Sequence, residues 1–163
     1  FFIRIDEGDN NFQRCNVNEI DFSKYDIIVI SDYDKGFLDR EDIAKISNKH
    51  KCVFMDTKKE LGPWCDSIKY IKINNFEYDR SKNSINDNIR TKIIATLGKK
   101  GCTHAGINYP VDEVEIKDLS GAGDTFLAGL VAEYARTKSI EKSVIFANEC
   151  ATKVVQLRGV NVV

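Results

Sequence analysis

Four short apolar runs punctuate the chain, and each is continuous rather than alternating. Asp26-Ile27-Ile28-Val29-Ile30-Ser31 is the clearest, followed by Cys52-Val53-Phe54-Met55, Tyr70-Ile71-Lys72-Ile73 and Lys92-Ile93-Ile94-Ala95-Thr96. Unbroken β-branched runs of this length predict central strands of a parallel sheet, covered on both faces. Between the first two runs, residues 39–50 place Ile43 and Ile46 on one helical face and charges on the other. Asp39 suits the N-cap of that helix, with Asp42 in its first turn. Strand, helix and strand at this spacing predict a βαβ unit.

The pattern changes after residue 101. Thr103-His104-Ala105-Gly106-Ile107, a turn at Asn108-Tyr109-Pro110 and the partly alternating Val111-Asp112-Glu113-Val114-Glu115-Ile116 predict a hairpin-like pair of strands over residues 102–116. From Ser120 onward Phe126, Leu127, Leu130, Val131 and Tyr134 recur at helical spacing. A break at Thr137-Lys138-Ser139 precedes a second helix from Ile140 to about Leu157, and residues 160–163 read as coil or a short strand. The sum is a three-layer α/β/α domain over residues 1–163, mostly parallel with one antiparallel hairpin.

Composition narrows the class. The chain has 163 residues, 42% of them apolar and 30% charged, which fits one soluble globular domain and is too apolar for disorder. Lys plus Arg number 24 against 25 Asp plus Glu, a net charge of −1, which argues against a nucleic-acid partner. No apolar run approaches the ~20 residues of a membrane span, so no membrane partner is expected. The start, Phe1-Phe2-Ile3-Arg4-Ile5-Asp6, has neither an initiator Met nor signal-peptide architecture, and a trimmed or partial chain is expected. Five scattered cysteines, no CxxC and only two histidines argue against a zinc or iron–sulfur site. Free thiols in a reducing cytoplasm are the expectation. His50 and His104 are expected at the surface, and Trp64 and the phenylalanines in packing.

The segment that carries chemistry is Lys117-Asp118-Leu119-Ser120-Gly121-Ala122-Gly123-Asp124-Thr125-Phe126. Glycines and a small residue stand where the long helix begins. Backbone N–H groups at a helix N-terminus cradle an anion, and glycine lets a phosphate approach without Cβ interference. Asp124 would repel a phosphate if binding were the whole task. It makes sense as a base that takes the proton from a substrate hydroxyl, while Gly121, Ala122 and Gly123 hold the charge on the transferred group. The alternative is an ordinary loop with a first-turn acid. GxxxxGK[ST] does not occur, and Gly-Ala-Gly-Asp is too short for the dinucleotide fingerprint.

Asp118-Leu119-Ser120-Gly121-Ala122-Gly123-Asp124 resembles the D-T-x-G-A-G-D signature of ribokinase-like (PfkB-type) carbohydrate kinases. Further landmarks follow that family's order. Lys72-Ile73-Asn74-Asn75-Phe76-Glu77 is similar to its K-P-N-x-x-E motif, with Ile73 in place of proline. Thr96-Leu97-Gly98-Lys99-Lys100-Gly101 resembles its T-L-G-x-x-G turn, and Asn148 matches an asparagine near the adenine pocket. Ser31-Asp32-Tyr33-Asp34-Lys35-Gly36-Phe37-Leu38 resembles the S-D-Y-x-K-G-x-L segment of heptose-7-phosphate kinases, with Asp34 where a small residue is commoner. The resemblance covers nearly the whole chain but only the C-terminal half of such a kinase.

The resemblance implies a ribokinase-like fold and transfer of phosphate from ATP to a sugar hydroxyl, foremost the anomeric hydroxyl of a heptose 7-phosphate. It implies Asp124 as base; Thr96, Gly98, Gly101 and Asn148 beside ATP; and Asn74 with Glu77 organising Mg²⁺ through water. Asp32 and Lys35 would meet the sugar phosphate, while Asp118 and Ser120 correspond to a loop that binds K⁺ in some members. Asp56, in a V-x-x-D-x-K context with Lys58, is expected to be structural. Bland readings stand beside these: Glu77 as a solvated acid early in a helix, Gly98 and Gly101 as a mere turn, Asn148 on a helix face, Lys35 at the surface. Competing functions are a non-catalytic nucleotide-binding fragment and a PfkB-type kinase for another sugar or a nucleoside. A truncated sheet would expose an apolar edge, so a homodimer or a longer parent chain is expected.

Overall fold

The computed structural model describes residues 13–159. Six strands form one sheet in sequential order: β1 (Ile28–Asp32), β2 (Val53–Thr57), β3 (Tyr70–Asn74), β4 (Ile93–Thr96), β5 (Cys102–His104) and β6 (Ile107–Tyr109). β1 to β4 run parallel, and β5 and β6 add antiparallel. The continuous apolar runs are explained by burial on both faces: every residue of β2 is buried. Val53 and Met55 enter one core with Ile30, Ile43, Ile71 and Ile73, while Phe54 enters the other with Ile94, Phe126, Leu130 and Val144.

Helices occupy both faces. α1 (Arg40–Lys49), α2 (Asn75–Ser81) and α3 (Asp87–Arg90) lie with the first core through Ile43, Ile46, Tyr78 and Ile89. α4 (Ala122–Thr137) and α5 (Ile140–Val154) cover the second. This is the three-layer α/β arrangement that the pattern predicts. Asp39 caps α1 as expected, in a capping box with Asp42. α4 and α5 pack closely at Gly129, where a Cβ would stand 3.1 Å from Cys150 Sγ.

Three expectations need correction. The hairpin is shorter than residues 102–116 and turns at Ala105-Gly106, whose φ values of 49° and 80° suit a two-residue turn. Asn108 and Tyr109 belong to β6, and Pro110, with no N–H to donate, ends the pairing; residues 111–116 are irregular. His104 is buried on β5, its Nδ1 2.9 Å from the Ile93 carbonyl, rather than at the surface. Phe76 is 72% exposed instead of packed. His50 is half-buried between the carbonyls of Tyr25 and Cys52. The opening hexapeptide and residues 160–163 lie outside the described residues. No helix among the described residues is long and apolar enough to cross a membrane.

Candidate active site

Parallel strands deliver their last residues to one end of the sheet, where such sheets hold ligands. β1 ends in Asp32, followed by Tyr33; β2 brings Asp56, with Lys58 just beyond; β3 brings Lys72 and Asn74. The register pairs Asp56 with Lys72, and Lys72 Nζ donates to Asp56 Oδ2 at 2.6 Å. Asp56 Oδ1 is buried and has no hydrogen-bond partner among the described residues. Burial pushes the Asp56 carboxyl up, against the opposing pull of Lys72.

The N-terminus of α4 faces this cluster. Gly121 sits at φ 76°, a left-handed conformation that suits glycine, and it gives the helix no side-chain cap. Two residues on, a Cβ at Gly123 would meet Lys72 Nζ at 3.0 Å, so the nest and the lysine nearly touch. Asp124 is exposed rather than turned into the protein interior. It lines a cavity of about 170 Å³ with Tyr33, Asp56, Lys58, Lys72 and Gly123. The Tyr33 hydroxyl donates to its carboxylate, 3.0 Å from each oxygen.

A second cavity, about 390 Å³, opens on the other side of the nest. Thr96, Gly98, Gly101, Ala122, Gly123 and Asn148 line it, beside apolar Ile116, Leu119 and Phe126. Gly123 borders both cavities. Residues 111–116, released from any strand, supply one wall. Gly101 is forced there by space: a Cβ would lie 2.0 Å from the Tyr109 carbonyl oxygen, and its φ is 84°. Asn148 is buried and donates from Nδ2 to that same carbonyl at 3.0 Å.

Other residues singled out from the sequence are engaged within the fold. Glu77 is buried rather than solvated: its Oε2 accepts from Asn74 N at 2.8 Å, and Asn74 Oδ1 accepts from Glu77 N at 2.9 Å, a complete capping box at α2. Lys58 Nζ donates to Glu77 Oε1 at 2.6 Å. Asp32 is largely buried but lines the smaller cavity with Asp124; Lys59 Nζ reaches it at 3.0 Å and Thr57 Oγ1 donates to it at 2.6 Å. Lys59 also pairs with Asp34 at 2.7 Å, in a loop where Asp34 holds φ 56°. That positive φ explains why a small residue is commoner there. Lys35 is half-buried and lines neither cavity. Asp118 accepts from Ser120 N at 2.9 Å and from Gly159 N at 3.0 Å, contacts that hold its carboxyl below the ordinary range, the Ser120 bond foremost.

Sequence reasoning gave no part in the site to Tyr33 or Lys72, and it left Asp56 structural. The signal for two of them was present. A lysine inside the apolar run of β3 and an aspartate at the end of the apolar run of β2 are charged groups at buried positions of neighbouring strands, where each needs the other. Tyr33 carried no such mark.

Comparisons with known proteins bear on the family and the fold. Residues 3–162 match the pfkB family carbohydrate kinase model. The chain is similar to the bifunctional protein HldE of a Nitratiruptor species, 28% identical over 159 residues that cover 86% of this chain and 34% of that protein. Its fold is similar to ribokinase from Thermotoga maritima, with TM-score 0.71, 18% identity, 88% of this chain and 55% of that one covered. It is similar too to a nucleoside kinase from Methanocaldococcus jannaschii, with TM-score 0.65, 22% identity and coverage of 82% and 50%. The chain thus spans about a third of the HldE relative and about half of these kinases. A family match running through the βαβ units, the glycine nest and both cavities settles the affiliation: this chain belongs to the pfkB family of carbohydrate kinases.

Proposed function

We propose that this chain is the nucleotide-side, C-terminal portion of an ATP-dependent sugar kinase, with Asp124 as the base. One observation carries the reading. An exposed carboxylate stands directly after an uncapped glycine nest, at the junction of a roomy cleft and a small polar cavity. The larger cleft suits a nucleotide: Thr96, Gly98 and Gly101 edge it, Asn148 closes its far side, and its apolar floor would accept a base. The smaller cavity suits the acceptor hydroxyl.

In the proposed step Asp124 takes the hydroxyl proton as the oxygen attacks the terminal phosphorus of ATP. The first turn of α4 has N–H groups without intrahelical partners and the positive end of the helix dipole. These groups at Gly121, Ala122 and Gly123, with the Lys72 ammonium beside them, would hold the developing charge. The Ala122 N–H also lies 3.3 Å from the Leu119 carbonyl, so it would have to trade that long contact for phosphate.

Magnesium fits through its waters. Asp56 keeps one buried oxygen unpartnered, and Glu77 is held rigidly by Lys58 and its capping box. Among the described residues no cluster of three or more ligating side chains forms a direct cage, and magnesium commonly retains several waters. When bound, it would neutralise phosphate charge. Both oxygens of Asp118, like both of Glu77, are already engaged within the fold; no step is assigned to potassium.

The sugar proposed is a heptose 7-phosphate. The resemblance of residues 31–38 to heptose-7-phosphate kinases and the likeness to HldE support it. Asp32 lines the smaller cavity and fixes its loop through Lys59, so it would meet the acceptor there. The test is transfer from MgATP to heptose 7-phosphate by this chain and by its parent. Asp124→Asn should lower transfer about 10²- to 10⁴-fold and keep ADP binding. Undiminished turnover rejects the base assignment, and saturable ADP binding without turnover on any sugar favours a non-catalytic nucleotide-binding fragment.

A further inference from the structure

Tyr33 has no role in the transfer described above, yet its hydroxyl lies 3.0 Å from both carboxylate oxygens of Asp124. A general base must stand within ~2.6–3.2 Å of the atom whose proton it removes, so the phenol occupies the place of an acceptor alcohol. It shares its cavity with Lys72 and Gly123, and Gly123 also borders the nucleotide cleft. A phosphoryl group delivered past Gly123 therefore meets a hydroxyl already seated on the base. Burial foremost, and then Asp124, push the Tyr33 phenol above its ordinary value, so it keeps its proton near neutrality and needs a base to lose it. The side chain is 52% exposed, which leaves room for a phosphorylated product to turn toward solvent.

Resting on the kinase reading, we propose that without sugar the chain phosphorylates its own Tyr33. Asp124 accepts the Oη proton, the Oη–P bond to the terminal phosphorus of ATP forms, and the bond from that phosphorus to the bridging oxygen breaks. ADP leaves with the electron pair, and nothing is oxidised or reduced. The phosphotyrosine carries about −1.5 to −2 charges and would lie in a cavity lined by both acids (Asp32, Asp56, Asp124) and lysines (Lys58, Lys72).

The test incubates the chain with MgATP and no sugar, then maps phosphate by peptide mass spectrometry. The expected result is one phosphoryl group on Tyr33, at a first-order rate independent of protein concentration. The label should vanish in Tyr33→Phe and in Asp124→Asn, and saturating heptose 7-phosphate should suppress it. A second readout needs no nucleotide. In an ultraviolet phenol titration Asp124→Asn should lower the midpoint of the one tyrosine that Tyr33→Phe removes; an unmoved midpoint overturns the contact and the proposal. Saturable ADP binding with an unlabelled Tyr33 overturns self-transfer and leaves the kinase reading standing. Neither ADP binding nor label overturns both.

Discussion

Helix α2 and helix α4 both start at the ligand end of the sheet, and their first turns are finished in opposite ways. At α2, Asn74 and Glu77 satisfy each other's backbone N–H groups and Lys58 neutralises Glu77. At α4, Gly121 offers no side chain, and the first acid, Asp124, looks outward to a cavity. α1, α3 and α5 follow the α2 style, with caps from Asp39, Asn86 and Ser139. A side-chain cap secures a helix start by ~1 kcal/mol. Leaving it out forgoes that stability and leaves the first-turn N–H groups without a side-chain partner. On the proposed reading the two termini divide the work: one braces the sheet end, the other would receive the phosphate.

The sharpest way to break this division is Asp124→Asn. Loss of a general base should lower sugar phosphorylation about 10²- to 10⁴-fold. Thermal unfolding should show at most ~1 kcal/mol lost, the worth of a first-turn charge against the dipole. A large stability loss would move Asp124 into the structural class with Glu77.

Next in size is Lys72→Met, which strands Asp56 in the interior beside the nest. Breaking a buried pair costs about 3–5 kcal/mol, read by urea unfolding near neutral pH. The sign with pH follows from Asp56. Its carboxyl is raised in the folded state, so its favourable neutral form is fully present at acid pH and is lost as pH rises through the folded value. The variant removes the lysine that pulls that value down, so its penalty should shrink on acidification. A pH-independent penalty would show that Lys72 acts by packing alone.

Gly123→Ala sharpens the comparison further. The new methyl would lie 3.0 Å from the Lys72 ammonium, at the residue the two cavities share. We expect roughly tenfold weaker ADP binding by calorimetry, ~1.4 kcal/mol, with unfolding nearly unchanged. The smallest effect belongs to Asn74→Ala: ~1 kcal/mol of stability from the lost cap. If it also removed the magnesium dependence of ADP binding, the α2 terminus would be a metal station as well as a brace.

Much of this was legible from sequence because burial speaks plainly. Residues 53–55 and 93–95 are apolar without interruption, since β2 and β4 are covered on both faces. The glycine nest and Asp124 were legible through motif spacing. Residues 111–116 misled because their partial alternation suits a strand, whereas the Ala105-Gly106 turn and Pro110 had already set the hairpin's limits. The inward turn of Asp32 was hidden, since it depends on Lys59, distant in sequence and unremarkable among the chain's lysines. Tyr33 was hidden for the same reason: its meaning comes from a contact across 91 positions.

The close seam at Gly129 has a consequence for chemistry done from behind. α4 is backed by Cys150 of α5 about two turns past its first residue, where an added methyl would stand 3.1 Å from the sulfur and force it to shift. Burial raises the Cys150 thiol and keeps it dormant toward alkylating reagents. An adduct could form there only when the two helices part, and once formed it would wedge them and tilt the acid at the front. On the proposed function, slow thiol modification should therefore lower phosphoryl transfer from the rear wall, at a pace set by the breathing of the helix pair.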